Sequence, residues 1–336
     1  MLFGGTCVSW RGLVQHDRLA HRNIVIRYLR SRVTLNTIAL ELVPPNLDAG
    51  QERAVEDACK VVQYSAESGL SGRIRHVMIP GMIVEEDDRP IPMKPKLDVL
   101  DFWSIVRPEL PGVNGLCTQV TAFMDEASLG RRLADLSAAG MEGVVFVGVP
   151  RTMNDGEGSG VAPTDALSMY RELVANRGVI VIPTRDGEQD RLNFKCNQGA
   201  TYGMTQLLYS DAIVRFLTEF AKHTDHRPEL LLSFGFVPKA ERRVGLINWL
   251  IQDSGNAAVA DEQEFVKRLA GSEPAQKRQL MLDLYQRVID GVAELGFPLS
   301  IHFEATYGMS PAAFDTFAEM VAYWPPVCVG QSGEST

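Results

Sequence analysis

No apolar run in this chain approaches the ~20 residues that a bilayer-spanning helix requires, so a membrane protein of the helical kind is excluded. Basic charge is scarce as well. Lys and Arg number 33 against 42 Asp and Glu, a net charge of −9, and a general polyanion binder needs clustered cations to displace counterions. Nucleic acid is therefore not an expected partner. Cysteines are few: Cys7, Cys59, Cys117, Cys196 and Cys328, widely spaced and without a CxxC pair. Such a set excludes a disulfide framework or a zinc ribbon and reads as the reduced thiols of a cytoplasmic protein. No His, Cys and carboxylate set stands at metal-ligand spacing along the chain, so no metal is expected, and no GxSxG elbow marks a serine nucleophile. No Gly/Ser-rich linker divides the sequence. One domain is the expectation.

The first 32 residues differ from the rest: six Arg, no Lys, and Asp17 as the one acid. They lack the apolar core of a signal peptide. An organelle transit peptide is one reading of such an Arg-rich stretch. The preferred reading is that Val33 initiates the native chain and that the upstream residues carry no chemistry. The expected organisation is an extension over 1–33, a single folded domain over 34–325 and a flexible tail over 326–336.

Beyond Val33, β-rich runs alternate with amphipathic stretches, the pattern of a parallel α/β fold. Strands are predicted at Thr37–Val43, Ile74–Ile79, Gly115–Ala122, Gly143–Val149, Val179–Pro183, Thr201–Leu207, Glu229–Phe236 and Pro298–Phe303. Helical patterns cover Glu52–Glu67, Ser128–Ala139, Thr164–Asn176, Asp211–Lys222, Lys239–Ile251 and a long Glu262–Leu295, with Gly140, Gly178 and Gly296 as expected C-cap glycines. Eight strand–helix units predict a (β/α)8 TIM barrel. A doubly wound sheet is the rival, but its GxGxxG turn is missing: the first strand runs into Pro44-Pro45, which offer no N–H groups to a phosphate. The Gly156–Gly160 run follows the fourth strand and reads as a surface loop or, less readily, a phosphate contact.

Barrel strands are buried on both faces, so a polar residue within one calls for an explanation. On the first strand, Ile38, Leu40 and Leu42 share the face expected under the helices, which turns Glu41 inward near the C-terminal mouth, where this fold places its active sites. The same parity argument groups Gln119 with Thr121, and His302 with Glu304. Gln206 ends the sixth strand, and Tyr209 follows it. Each has a structural alternative. Glu41 could pair with a base, His302 could be a hydrogen-bonded core histidine, and Thr121 could tie off a strand end. Asp125 reads as a helix cap and Glu85-Glu86-Asp87-Asp88 as a solvated loop.

These residues resemble one family. Ala39-Leu40-Glu41-Leu42-Val43-Pro44-Pro45 is similar to the FEFFPP-type opening of methylenetetrahydrofolate reductases, and Thr118-Gln119-Val120-Thr121 continues the match. Gly199-Ala200, with Thr205-Gln206 after four more residues, resembles the family's GA-x4-TQ strand. Phe234-Gly235-Phe236-Val237-Pro238 stands at its PGI-x-P segment, and His302-Phe303 at its HFY. The resemblance implies that Glu41 is the general acid that opens the methylene bridge of the folate. It implies that Gln206 binds the pterin, and we group Gln119, Thr121, Tyr209 and Glu304 with Gln206 as expected folate contacts. A raised carboxyl pKa would suit Glu41 to that role.

The departures from the family point to its cofactor. The family's RGD-like flavin segment reads Gly148-Val149-Pro150 here, its third-strand His is Gln119, and its YPE-x-H-like segment is Pro183-Thr184-Arg185-Asp186-Gly187. Lys195 matches a flavin-side lysine, and Arg242 stands where an aromatic residue is common. These two are the expected cofactor contacts. FAD is expected to be absent, with NADH or NADPH as direct hydride donor, as in the similar flavin-independent branch of actinobacteria. An FAD-dependent reductase and a catalytically silent folate-binding barrel are the alternatives.

Overall fold

Eight parallel strands close on themselves in sequence order, β1 to β8, in a computed structural model. They are β1 Ile38–Glu41, β2 Ile74–Ile79, β3 Asn114–Val120, β4 Met141–Val147, β5 Asn176–Val181, β6 Tyr202–Thr205, β7 Glu229–Gly235 and β8 Leu299–Glu304. The ring closes where β1 runs beside β8, with Ile38 opposite Ile301 and Leu40 opposite Phe303. Helices connect the strands, so the expected (β/α)8 barrel is the fold. The structure describes residues 35–81, 90–148, 160–237, 241–251, 257–305 and 308–326, apart from the side chains of 241, 242 and 257. The extension over 1–33, the acidic run at 85–88, Val149-Pro150, residues 156–159, Pro238, the Arg242 side chain and the tail from 327 lie outside the described residues. No helix among the described residues is long and apolar enough to cross a membrane.

Alternation on the strands sorts two cores. Ile38, Leu40 and Leu42 join the large layer between strands and helices. Ala39, Met78, Leu116, Val145, Tyr202, Met204 and Leu231 form a separate cluster inside the barrel. The interior is therefore packed with side chains below its mouth, as the fold demands. Burial of each large apolar side chain contributes about 1.5–3 kcal/mol, and the interior layer sets the level at which polar groups begin.

Several expected boundaries move. The helix predicted over Thr164–Asn176 stops at Met169, and Asn176 opens β5 instead. Its side-chain amide donates to the Glu142 carbonyl at 2.8 Å, a bond that favours the strand start. Gly178 is not a C-cap: it lies inside β5, where an added Cβ would come within 2.4 Å of the Tyr202 ring. Gly140 and Gly296 do take the left-handed conformation, with φ of +84° and +78°, as a C-terminal glycine permits. The long helix predicted over Glu262–Leu295 is two, Ala257–Gly271 and Pro274–Val292. Pro274 lacks the N–H needed in a helix interior and serves as a first residue instead. Asp125 caps the helix Glu126–Ala138, accepting from the Ser128 N–H at 2.8 Å.

Candidate active site

β1 and β8 each end in a glutamate, and because the two strands are neighbours both carboxyls arrive at one point of the mouth. Inward parity brings His302 to the same place. Donor atoms of Glu41, His302 and Glu304 lie within 4.8 Å of one another. The outer neighbours Ile301 and Phe303 pack under the helices, which fixes the inward direction of the other two. Spacing along the chain did not reveal this set; only closure of the barrel assembles it. By distance alone such a trio could surround a cation.

Hydrogen-bond counting settles the state of His302. The Ser233 hydroxyl donates its single proton to the Thr205 carbonyl at 2.8 Å, so toward His302 it can only accept. Nδ1 of His302, 3.0 Å away, therefore carries the proton. That N–H also faces Glu304 Oε1 at 3.4 Å. Nε2 is left as a buried lone pair with no donor among the described residues. Burial pushes the imidazole down to about 3, so it stays neutral and supplies no counter-charge. Burial also raises the Glu41 carboxyl to about 7. Glu304 is raised too, by burial first and then by the charge on Glu41. Both carboxyls are only partly covered, so a bound molecule can reach them.

The other sequence candidates divide. Gln206 keeps the inward parity of Tyr202 and Met204, and its amide Nε2 donates to the Leu250 carbonyl of the helix Glu241–Ile251. That bond ties the end of β6 to the chain beyond β7. Gln119 and Thr121 do share a face, but it is the outer one, because Leu116 belongs to the interior cluster. The Gln119 carbonyl accepts from Arg132 Nε at 3.2 Å, and Arg132 is itself held by both oxygens of Asp98. Thr121 is fully buried and its N–H donates to the Val147 carbonyl at 3.0 Å, closing the end of β3 onto β4. Tyr209 packs in the outer core beside Phe234 and Leu284. The parity count had the strand right and the phase wrong, since nothing in β3 alone distinguishes its two apolar-and-polar faces.

Lys195 is also committed inside the protein. Its ammonium donates to the Ile180 carbonyl at 2.8 Å and to Glu188 at 3.3 Å, and Glu188 is fully buried. Burial lowers the Lys195 pKa, opposed by Glu188. An ammonium held in this way links the end of β5 to its helix and is poorly placed to neutralise a dinucleotide phosphate. Three positioning groups escaped the reading of the sequence: Ser233, which sets the His302 tautomer; Leu250, which anchors Gln206; and buried Lys277, whose ammonium donates to the Val237 carbonyl at 2.7 Å. A buried lysine in the helix Pro274–Val292 is the one visible signal among them.

A family described as mycobacterial methylenetetrahydrofolate reductase matches residues 34–328 of the chain. No curated protein matches it. Among solved structures, tryptophan synthase from M. tuberculosis is similar at a TM-score of 0.43 and 11% identity, over 85% of this chain and 92% of that one. A 2,3-dimethylmalate lyase of the PEP mutase/isocitrate lyase superfamily gives 0.41 and 12%, over 90% and 84% of the two chains. A protein from Aquifex aeolicus VF5 gives 0.39 and 13%, over 76% and 92%. These structural likenesses are too remote to bear on function.

Proposed function

Because the chain belongs to the mycobacterial methylenetetrahydrofolate reductase family, we propose that it passes a hydride directly from a reduced nicotinamide to 5,10-methylenetetrahydrofolate, without flavin, and that Glu41 is the general acid. The observation that carries this reading is the position of the Glu41 carboxyl: at the C-terminal end of β1, beside Glu304, raised to about 7 by burial. A carboxylic acid that is still substantially protonated near neutrality can give its proton to the bridging nitrogen of the folate as the bond to the methylene carbon breaks. The product of that step is an iminium cation. Hydride delivery from NADH or NADPH to the methylene carbon then gives the 5-methyl group, and the folate pair of nitrogen and carbon has gained one proton and one hydride.

Gln206 binds the pterin in this scheme. Its amide offers both a donor and an acceptor, and one N–H is already spent on Leu250, which fixes the plane of the group. Holding donor and acceptor together in one mouth supplies much of the rate. Absence of flavin is supported by the internal engagement of Lys195 with Glu188 and Ile180, together with the replaced flavin segments Gly148-Val149-Pro150 and Pro183–Gly187. The test is a turnover assay on purified protein freed of flavin, with methylenetetrahydrofolate and each nicotinamide in turn. Oxidation of NADH or NADPH that depends on the folate is the expected result. A yellow protein whose activity requires added FAD would reject the direct transfer, and folate binding without turnover would reduce the chain to a binding protein.

A further inference from the structure

We propose that Glu304 is a positioning residue for Glu41: the two carboxyl groups hold one proton between them, and repulsion between the two keeps the pair from losing that proton until the substrate takes it. The inference rests on the proposed reductase function and assigns a role to Glu304 other than contact with the folate. Geometry is its basis. Glu41 and Glu304 are the last residues of adjacent parallel strands, Leu40 pairs with Phe303 one step below, and carboxyl oxygens from the two lie within 4.8 Å. Like charges at such a distance in a poorly hydrated site resist joint ionisation.

Among the described residues, the surrounding elements do not relieve the repulsion. On β8 itself His302 is neutral, because its Nδ1–H is directed at Ser233 and Glu304 and its Nε2 is bare among the described residues. On β7, the partners of His302 and Glu304 are Ser233 and Gly235, both uncharged. Gln206 of the β6 end is uncharged, and Lys195 is spent on Glu188 and Ile180. Among the described residues, burial and the neighbouring Glu41 are what act on Glu304, and no cation offsets them. A pair in that setting carries one negative charge, not two, near neutral pH.

The same pair serves the step after proton transfer. The proton leaves Glu41 for the bridging nitrogen, which receives it on the electron pair released when its bond to the methylene carbon breaks. Two carboxylates then face the new iminium cation and stabilise it while hydride arrives from the reduced nicotinamide. Proton uptake from solvent restores the starting state. No further oxidant or reductant is needed.

Glu304→Gln, Glu304→Asp and Glu41→Gln are compared with the wild type in two measurements. The first, without substrate, follows carboxyl titration in glutamate-13C-labelled protein by NMR, with Glu41→Gln identifying the Glu41 signal. Without the second carboxyl, the upper midpoint of the pair falls by about one pH unit or more in Glu304→Gln, whereas Glu304→Asp keeps it raised. The second is the pH profile of kcat. Its falling limb on the alkaline side moves to lower pH in Glu304→Gln by the same amount and stays in place in Glu304→Asp. An upper midpoint and a limb unmoved in Glu304→Gln, with activity lost equally at every pH, would overturn the proposal in favour of a packing or folate-contact role. If no protein, wild type included, turns over the folate, the functional reading fails while the NMR titration still decides the pair. If Glu304→Gln does not fold, the wild-type titration decides: two well-separated midpoints support a shared proton, and two ordinary carboxylate titrations refute it.

Discussion

Gly178 faces the ring of Tyr202 so closely that a methyl group at 178 would lie 2.4 Å from Cζ of the tyrosine. Gly143 on the next strand leaves similar room, its missing Cβ falling 3.2 Å from the same hydroxyl. The two glycines create the hole that the ring fills, and the ring closes the barrel floor beneath the acids. Gly178→Ala should therefore destabilise the fold by about 1–3 kcal/mol, the usual cost of overpacking a filled core. Urea denaturation of the variant beside the wild type measures it; an unchanged midpoint would mean that the floor is loosely packed.

Glu41→Gln keeps the shape of the side chain and removes the transferable proton. Turnover should fall by about 10²–10⁴-fold, the usual contribution of a general acid, while folate affinity changes little. Steady-state NADH oxidation together with equilibrium folate binding separates the two quantities. Activity within a few-fold of wild type would remove Glu41 from the chemistry.

Gln206→Ala removes a hydrogen-bonding group from the mouth and frees the helix Glu241–Ile251 from one tie. Loss of about 1–1.5 kcal/mol of substrate hydrogen bonding predicts a KM for the folate raised roughly tenfold, with the KM for the nicotinamide nearly unchanged. Equal increases in both would place the glutamine in general support of the mouth and not against the pterin.

Glu262 is another buried acid, remote in sequence from Glu41. It accepts from the Ser210 hydroxyl at 2.8 Å, and burial raises its carboxyl to about 7. The folded chain thus favours the protonated form more than the unfolded chain does. Its contribution to stability is complete below the ordinary carboxyl value and is lost as pH rises through about 7. Glu262→Gln retains an acceptor for Ser210 but cannot ionise. Thermal melts across the acid-to-neutral range should show the wild type losing more stability than the variant as pH rises from the ordinary carboxyl value to about 7, by about 1.4 kcal/mol for every tenfold weakening of the acid on folding. Some of this loss persists in the variant, because Glu41 and Glu304 are raised as well. Parallel curves would mean that water reaches Glu262 in solution.

Much of the fold was legible from residue pattern. Period-two runs such as Ile74–Ile79 and Glu229–Gly235 were found within a residue of their observed bounds, because strands buried on both faces select β-branched and apolar side chains over short, well-marked stretches. Helix ends were less legible. Asn176 looked helical until its amide was seen bonded to the Glu142 carbonyl, and the hinge at Pro274 was hidden within a continuous amphipathic pattern. In the site, Glu41 and Glu304 were marked by the oddity of an acid at the end of a buried strand. Gln119 and Thr121 turn to the outer face, since a strand with polar groups on both faces does not declare which face is inside, and Tyr209, beyond the sixth strand, packs in the outer core.

By itself the sequence determined the barrel, the direction in which the first and last strands turn their acids, and the family. It could do so because alternation within one strand is a local property, written in successive residues. The tertiary structure alone decided that the two acids meet, that Ser233 and not a carboxylate fixes the histidine tautomer, and that Lys195 is an internal tie. Those are relations between segments far apart along the chain, and only closure of the ring sets their distances and removes the water that would otherwise screen them.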